Sequence, residues 1–270
     1  MELFCRKLGK GDPLIILHGL YGSSDNWYTI GRELAADHTV YLVDQRNHGN
    51  SPSHPVHNYQ ALTGDLREFM AQHHVNRPVI IGHSMGGKAA LAFGLNYPEM
   101  VRKIIVVDIS PLGYFSDGNM HEITGHERII SALQTIDPGT LANRREADLL
   151  LKKYIAPPAI RQFLLKNLKH NSDGGFYWAI NLPVIAENMH EIFSGLILEN
   201  EHDPRSIARF PLLFIRGEYS HYIRKKDEKA IRHYFPWSNI VTVQGTGHWL
   251  HAEEPASFLR IVREFIAEVS

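Results

Sequence analysis

The 270-residue chain has 28 Lys and Arg against 29 Asp and Glu, a formal net charge of −1. This balance argues against a nucleic-acid-binding protein, and we expect neither nucleic acid nor a membrane as partner. The single cysteine, Cys5, cannot form an internal disulfide and suits a reducing compartment. With no signal-peptide pattern after Met1, the expected location is the cytoplasm.

Apolar runs alternate with helix-like segments along the first part of the chain. We predict strands at residues 3–8, 13–17, 38–43, 79–82 and 103–107, with helices near 26–36, 59–73 and 87–97. Continuous apolar runs are typical of strands that are covered on both faces. Strands that alternate with helices indicate a parallel sheet, whose functional groups gather at the carboxyl ends of the strands.

The alternation stops near Leu112 and returns near Pro211. Between them we predict a helical cap, with helices at 122–136, 141–155, 159–170 and 178–193 separated by turns rich in Gly and Pro. The sheet then resumes with strands at 211–215 and 240–243 and helices at 226–234 and 255–269. The chain is therefore expected to form one α/β domain, with core residues 1–111 and 210–270 and an inserted cap at 112–209.

The pentapeptide Gly82-His83-Ser84-Met85-Gly86 joins a predicted strand to a predicted helix. A G-x-S-x-G segment in this context is typical of a nucleophile elbow, a tight turn that exposes a serine hydroxyl. Ser84 is therefore the candidate nucleophile. A plain Gly-Ser turn in a Rossmann-like sheet is the alternative.

A serine nucleophile needs a base, and the base needs an acid that orients it. His248 lies in a glycine-flanked loop after the last predicted strand, where such a base is expected; an ordinary surface histidine is the alternative. The acid is expected at the fourth position of the segment Gly217-Glu218-Tyr219-Ser220, but that position has a serine instead of an aspartate. Asp108, at the end of the strand that follows the elbow, is the preferred acid. Glu218 is its rival, and a purely structural role for Asp108 is also open.

Two backbone amides are expected to stabilise an oxyanion beside Ser84. They belong to Met85, which follows the nucleophile, and to Leu20, in the loop after the pair His18-Gly19. Because the amide donates in each case, the two side chains are free to vary. We expect His18 to brace the loop through a hydrogen bond rather than to act in the reaction.

The motifs together resemble the α/β-hydrolase family over essentially the whole chain. They are His18-Gly19, the Asp44 to Gly49 turn (DQRNHG), Gly82 to Gly87, Asp108 to Pro111 and Gly247-His248. The Arg-Asn-His-Gly turn and Trp178 to Leu182 (WAINL) in the cap resemble, more narrowly, the small YbfF-type bacterial esterases. This resemblance implies hydrolysis of esters, with acyl-CoA thioesters among the possible substrates, and an acid moved to the position of Asp108.

The expected activity is thus cleavage of an ester or thioester with a short to medium acyl group, through an acyl-enzyme. Carbon–carbon bond hydrolysis or perhydrolysis on the same triad is one alternative, and a non-catalytic binding protein with a hydrolase fold is another. Neither a metal nor an organic cofactor is expected. Tyr114 and Trp178 are candidates for the pocket wall.

Basic residues dominate part of the predicted cap. Between residues 140 and 170 the chain has seven Lys or Arg against two acids. This surface could steer an anionic acyl-CoA toward the site, or it could be an ordinary solvated helix face. The basic residues are Arg144, Arg145, Lys152, Lys153, Arg161, Lys166 and Lys169.

Overall fold

A seven-stranded sheet forms the centre of the computed structural model, which describes residues 1–115, 120–196 and 210–268. The strands are β1 (Cys5–Leu8), β2 (Asp12–Leu17), β3 (His38–Val43), β4 (Val79–His83), β5 (Lys103–Val107), β6 (Leu168–His170), β7 (Phe176–Trp178), β8 (Leu212–Gly217) and β9 (Asn239–Val243). The sheet has the order β1-β3-β2-β4-β5-β8-β9, while β6 and β7 form a separate hairpin. β1 pairs antiparallel with β3, and the remaining neighbours in the sheet pair in parallel.

Helices cover both faces of this sheet. They are α1 (Tyr28–Leu34), α2 (Tyr59–Gln72), α3 (Met85–Asn96), α4 (Met120–Gln134), α5 (Arg144–Lys152), α6 (Pro158–Leu165), α7 (Leu182–Glu187), α8 (Met189–Phe193), α9 (Lys225–Tyr234), α10 (Leu250–Glu253) and α11 (Pro255–Ala267). Side chains of β2 alternate between two apolar clusters: Leu14 and Ile16 pack on one face, and Ile15 and Leu17 on the other. This burial on both faces explains why the strands appear in the sequence as unbroken apolar runs.

The segment between β5 and β8 contains α4 to α8, as the helical insertion predicts, but it also contains the β6–β7 hairpin. The predicted helix at 159–170 is wrong in its last residues, because α6 ends at Leu165 and β6 follows. Asn171 donates its amide to the carbonyl of Gly175 (2.7 Å), and Gly174 has a φ of +90°. This tight turn pairs the two short strands.

The predicted helix at 178–193 is also wrong at its start. Trp178 ends β7, and the chain then forms two short helices, α7 and α8, that meet at Asn188. Asn181 precedes α7, and its side chain accepts from the amide of Val184 (3.4 Å). An Asn cap followed by Pro183 in the first turn explains why the helix begins there.

The cap is joined to the core by backbone pairing with the Arg-Asn-His-Gly turn. Gly49 donates its amide to the carbonyl of Ala179 (2.7 Å), and Asn181 donates to the carbonyl of Asn47 (2.9 Å). The two sequence segments that most resemble the YbfF-type esterases therefore contact each other. Their pairing holds the cap against the edge of the sheet where β3 ends.

A buried lysine forms a second connection between the cap and the core. Lys88 lies in α3, one turn after Ser84, and its Nζ donates to the carbonyl of Ser194 at the end of α8 (2.6 Å). The same ammonium group lies over the ring of Tyr114, 4.8 Å from its centroid. Burial lowers the pKa of Lys88 to about 7.

No helix in the described part of the chain is long and apolar enough to span a bilayer.

Candidate active site

Ser84 lies on the sharp turn between β4 and α3. Its φ is +51°, in the left-handed region that non-glycine residues rarely adopt, and its amide donates to the carbonyl of Val107 in β5 (2.9 Å). A Cβ at Gly82 would lie 2.2 Å from the carbonyl oxygen of Gly86. A Cβ at Gly86 would lie 2.5 Å from a carbonyl oxygen of β2. The turn therefore requires both glycines of the pentapeptide.

Asp108 and His248 contact each other at the carboxyl edge of the sheet. Nδ1 of His248 lies 2.7 Å from Oδ2 of Asp108, whose side chain is fully buried. Asp108 follows β5 directly and, like Ser84, has a positive φ, +52°. His248 lies in the loop between β9 and α10. In this arrangement Nδ1 donates to the carboxylate, which leaves Nε2 available as a base.

Ser220, at the position where the sequence pattern leads one to expect an aspartate, also contacts Asp108. Its hydroxyl donates to Oδ2, while the amide of Gly217 donates to Oδ1 (3.1 Å). Burial raises the pKa of Asp108, and the hydrogen bonds from Ser220 and Gly217 oppose that rise by stabilising the carboxylate. The sequence analysis did not identify Ser220 as a site residue. Its only sequence signal is that it occupies the position where the usual motif has an aspartate.

The rival acid Glu218 points elsewhere. Its side chain is exposed, and Oε2 accepts from the amide of Gly245 (2.8 Å). It thus stabilises the turn that follows β9, whereas the contact with His248 is made by Asp108. The geometry favours Asp108 over Glu218 as the orienting acid.

Two aromatic residues that the sequence analysis did not identify hold His248 in place. His83, from the elbow itself, donates from Nε2 to the carbonyl of His248 (2.9 Å), and the two rings lie 4.5 Å apart. The ring of Tyr222 lies 4.1 Å from that of His248. Because this environment removes water from the imidazole, burial lowers the pKa of His248 and favours the neutral base.

The loop that carries Leu20 is braced by His18. Nδ1 of His18 donates to the carbonyl of Gly19 (2.9 Å), and Nε2 accepts from the amide of Gln45 (3.0 Å). The side chain of Gln45 donates in turn to the carbonyl of His18 (2.6 Å). Leu20 and Met85 both line a small cavity that Ser84 also lines.

Two cavities meet at Ser84. The larger one has a volume of about 280 Å³ and a mainly apolar lining from the cap and the core. The smaller one has a volume of about 10 Å³ and includes Tyr114 in its wall. Trp178 lines neither of these cavities, contrary to expectation, because its indole packs within the cap and Nε1 donates to the carbonyl of Ile136 (3.4 Å).

The basic residues of the cap divide into two groups. Three of them bind partners within the fold: Arg161 pairs with Asp148 (2.8 Å), Lys169 pairs with Asp25 (2.8 Å), and Arg144 donates to a backbone carbonyl (2.6 Å). The other four have exposed side chains: Arg145, Lys152, Lys153 and Lys166. Across residues 1–115, 123–196 and 210–268, no three His, Cys, Asp or Glu side chains cluster as metal ligands would.

Comparison with known proteins agrees with this architecture. A marine microorganism esterase of known structure superposes with a TM-score of 0.92, at 43% identity, over 98% of this chain and 99% of its own. Esterase YbfF of Escherichia coli is 32% identical over 95% of this chain and 94% of its own length. The sn-1-specific diacylglycerol lipase ABHD11 of Danio rerio is 35% identical over 96% of this chain and 80% of its own.

The family profile for the alpha/beta hydrolase fold matches residues 12–255, which include β2 to β9 and all three candidate triad positions. The strand order, the elbow and the inserted cap are consistent with that match. This chain therefore belongs to the α/β-hydrolase-fold family.

Proposed function

We propose that the protein is a serine esterase that cleaves carboxylic esters through an acyl-enzyme. The contact between His248 and Asp108 carries this proposal, because it orients the partly buried imidazole of His248 in the cavity that Ser84 also lines. The names of the relatives, an esterase and a lipase, support the same class of reaction. We also infer that residues 112–209 act as a cap over a core formed by 1–111 and 210–270.

In the first half of the reaction, Ser84 Oγ attacks the ester carbonyl and its proton moves to Nε2 of His248. Asp108 stabilises the resulting imidazolium through Nδ1. The amides of Leu20 and Met85 donate to the oxyanion of the tetrahedral intermediate. That intermediate collapses to an acyl-serine as the alcohol takes the proton from His248 and leaves.

In the second half, a water molecule gives a proton to His248 and attacks the acyl-serine. Collapse of this second intermediate returns the proton to Ser84 Oγ and releases the carboxylic acid. Thioesters fit the same steps, with a thiol as leaving group, and we include acyl-CoA among the proposed substrates. Apart from the water molecule of the second half, every group that acts in these steps is a side chain or backbone amide of the chain.

Labelling with a fluorophosphonate probe tests the nucleophile. We expect the wild-type protein to hydrolyse naphthyl acetate and to carry the probe on the peptide that contains Ser84. Ser84→Ala should lose both. The control is Ser238→Ala, at a buried serine whose hydroxyl binds the carbonyl of Phe235 (2.7 Å), and it should retain both. A wild-type protein without labelling or hydrolysis would overturn the proposal in favour of a binding role.

The salt dependence of turnover tests the thioester part. If the exposed cap lysines attract acyl-CoA, kcat/KM for acetyl-CoA should fall with salt more steeply than for a neutral acetate ester. Lys152→Gln/Lys153→Gln should reduce that difference. A control pair on α9, Lys225→Gln/Lys229→Gln, changes the same charge at exposed positions of the core. Equal salt responses for both substrates would remove electrostatic steering from the proposal.

A further inference from the structure

The two cavities at Ser84 differ in size and in the catalytic groups that they contain. His248 and Trp249 line the larger cavity, together with apolar side chains of α4 and α6. His248 is absent from the lining of the smaller cavity, which includes Met85 and Ile192. Leu20, Ser84, His126 and Tyr222 line both. The reacting carbon at Ser84 thus has two directions in which substituents can lie.

The chemistry of the proposed reaction assigns a direction to each part of an ester. His248 must give its proton to the leaving oxygen, so the alcohol or thiol has to lie on the side of His248. That side is the cavity of about 280 Å³. The carbonyl oxygen lies at the amides of Leu20 and Met85. Leu20 and Met85 also line the smaller cavity, whose other walls include the apolar side chains of Ile109, Ile192 and Phe193, and the acyl substituent is assigned to that cavity.

The volume of the smaller cavity limits the acyl group. About 10 Å³ is space for about one group the size of a water molecule, so the short acyl substituent of an acetyl ester is favoured over longer ones. A longer acyl chain would meet closely packed walls, and overpacking a well-packed site is unfavourable. The larger cavity, with its apolar lining, suits a bulky apolar alcohol.

Hydrogen bonds to the backbone hold the walls of the smaller cavity. The hydroxyl of Tyr59 donates to the carbonyl of Ile192 in α8 (2.7 Å). The hydroxyl of Tyr114 donates to the carbonyl of Tyr222 (3.0 Å). The first contact links α2 to α8, and the second links the segment after β5 to the segment after β8. Expansion of the cavity would break them, so the walls oppose longer acyl groups.

A paired histidine and tyrosine contribute to the walls of both cavities. Nε2 of His126, from α4, lies 2.8 Å from the hydroxyl of Tyr222, and the two side chains line both cavities. The ring of His126 also packs against Phe193, with centroids 5.0 Å apart. A displacement of this pair would therefore change the shape of both cavities.

From this arrangement we propose that the enzyme is selective for acetyl esters of large apolar alcohols, with Ile192 and its neighbours setting the acyl limit. The inference rests on the proposed esterase reaction and adds the substrate class. It assigns the short acyl group to the cavity beside Met85 and the variable alcohol to the cavity beside His248 and Trp249.

Two ester series with wild-type enzyme separate the two cavities. In the first, the alcohol is kept as 1-naphthol and the acyl group is lengthened from acetyl to butanoyl to hexanoyl. We expect kcat/KM to fall by about tenfold or more from acetyl to butanoyl. In the second, the acyl group is kept as acetyl and the alcohol is lengthened from ethanol to hexanol. We expect kcat/KM to rise by roughly two- to fourfold for each added methylene. The release of protons during hydrolysis measures the rate for this series.

A matched pair of variants tests the assignment of the walls. Ile192→Ala enlarges the smaller cavity and should raise the butanoyl-to-acetyl ratio of kcat/KM by about tenfold. Ile160→Ala removes the same atoms from the wall of the larger cavity and should leave that ratio unchanged. Thermal unfolding of both variants checks that each is folded at the assay temperature.

The outcomes distinguish this inference from the proposed function beneath it. Failure of every ester to react, with Ser84 unlabelled, would overturn the proposed function. Hydrolysis that depends on Ser84 but favours hexanoyl over acetyl esters, or is indifferent to acyl length, would overturn the acyl assignment alone. Because the wild-type series gives this result directly, the test stands even if Ile192→Ala does not fold.

Discussion

The hydroxyl of Ser220 donates a hydrogen bond to the same carboxylate oxygen of Asp108 that lies 2.7 Å from Nδ1 of His248. Asp108 follows β5 and Ser220 follows β8, and the two strands are neighbours, with Val107 paired to Ile215. A carboxylate from either strand end can therefore reach the loop that carries His248. In this protein an aspartate follows β5, and a hydrogen-bond donor to its carboxylate follows β8.

Asp108→Asn should lower kcat by on the order of 10³- to 10⁴-fold, since an amide cannot stabilise the imidazolium and favours the wrong tautomer of His248. Steady-state kinetics with naphthyl acetate measure the loss. Asparagine tolerates the left-handed backbone at this position, so the fold should survive. Glu218→Gln is the control and should keep nearly wild-type kcat. A large loss in Glu218→Gln with little in Asp108→Asn would make Glu218 the acid.

Moving the carboxylate from position 108 to position 220 should restore part of the activity that Asp108→Asn loses. We expect Asp108→Asn/Ser220→Asp to be at least about tenfold more active than Asp108→Asn, because position 220 already lies within hydrogen-bond reach of the carboxylate that contacts His248. Ser220→Ala supplies the comparison: it removes a donor to the carboxylate and should reduce kcat by about tenfold. Equal activity of the folded double and single variants would show that position 220 cannot orient His248.

The acid limb of the pH–rate profile should have its midpoint below 6.5, the usual value for histidine. Burial lowers the pKa of His248, so the imidazole stays neutral, and able to accept the proton of Ser84, at pH values where an exposed histidine is protonated. The measurement is kcat/KM for a neutral acetate ester against pH. Lys88→Met should preserve this limb, which excludes titration of Lys88 as its cause. A midpoint at or above 6.5 would contradict control of this limb by His248 and would indicate protonation of Asp108, whose pKa burial raises to about 7.

Lys88 should make the free energy of unfolding increase with pH. Burial lowers its pKa to about 7 in the folded protein, against a usual value of 10.5, so the unfolded state binds more protons between these values. Stability therefore rises as the pH increases from about 7 toward 10. Urea denaturation at pH 7 and pH 9 measures this rise.

The variant Lys88→Met should lose this part of the pH dependence, whereas Lys225→Met, at an exposed position, should keep it. If the wild type and Lys88→Met gained stability equally between the two pH values, Lys88 would not be the group responsible.

The sheet and the elbow were predictable because local sequence encodes them. The strands are buried on both faces and therefore appear as apolar runs. Both glycines of the elbow are required because a Cβ at either position would lie 2.2 to 2.5 Å from a backbone carbonyl oxygen. The cap was predicted less well. Its hairpin has strands of three residues, too short for an alternating pattern, although the turn Asp173-Gly174-Gly175 was visible.

The finer parts of the site depend on contacts between distant residues. Ser220 binds a carboxylate 112 positions away, and His126 pairs with Tyr222 across 96 positions. Composition and periodicity carry no record of such pairs. The expectation that Trp178 lines the pocket has the same origin. An aromatic side chain suits a pocket wall, but in the structure the indole Nε1 of Trp178 donates to the carbonyl of Ile136.

The position of Asp108 bears on how inactive relatives are distinguished from active ones. The usual sequence pattern requires an aspartate after β8, the strand that precedes β9 and the loop of His248. Such a pattern would classify this chain as a pseudoenzyme, since Ser220 occupies that position. A criterion based on the sheet would accept an acid at either of two adjacent strand ends. With Asp108 as the proposed acid, a survey that counts only one of those places would overlook the triad that we propose for this chain.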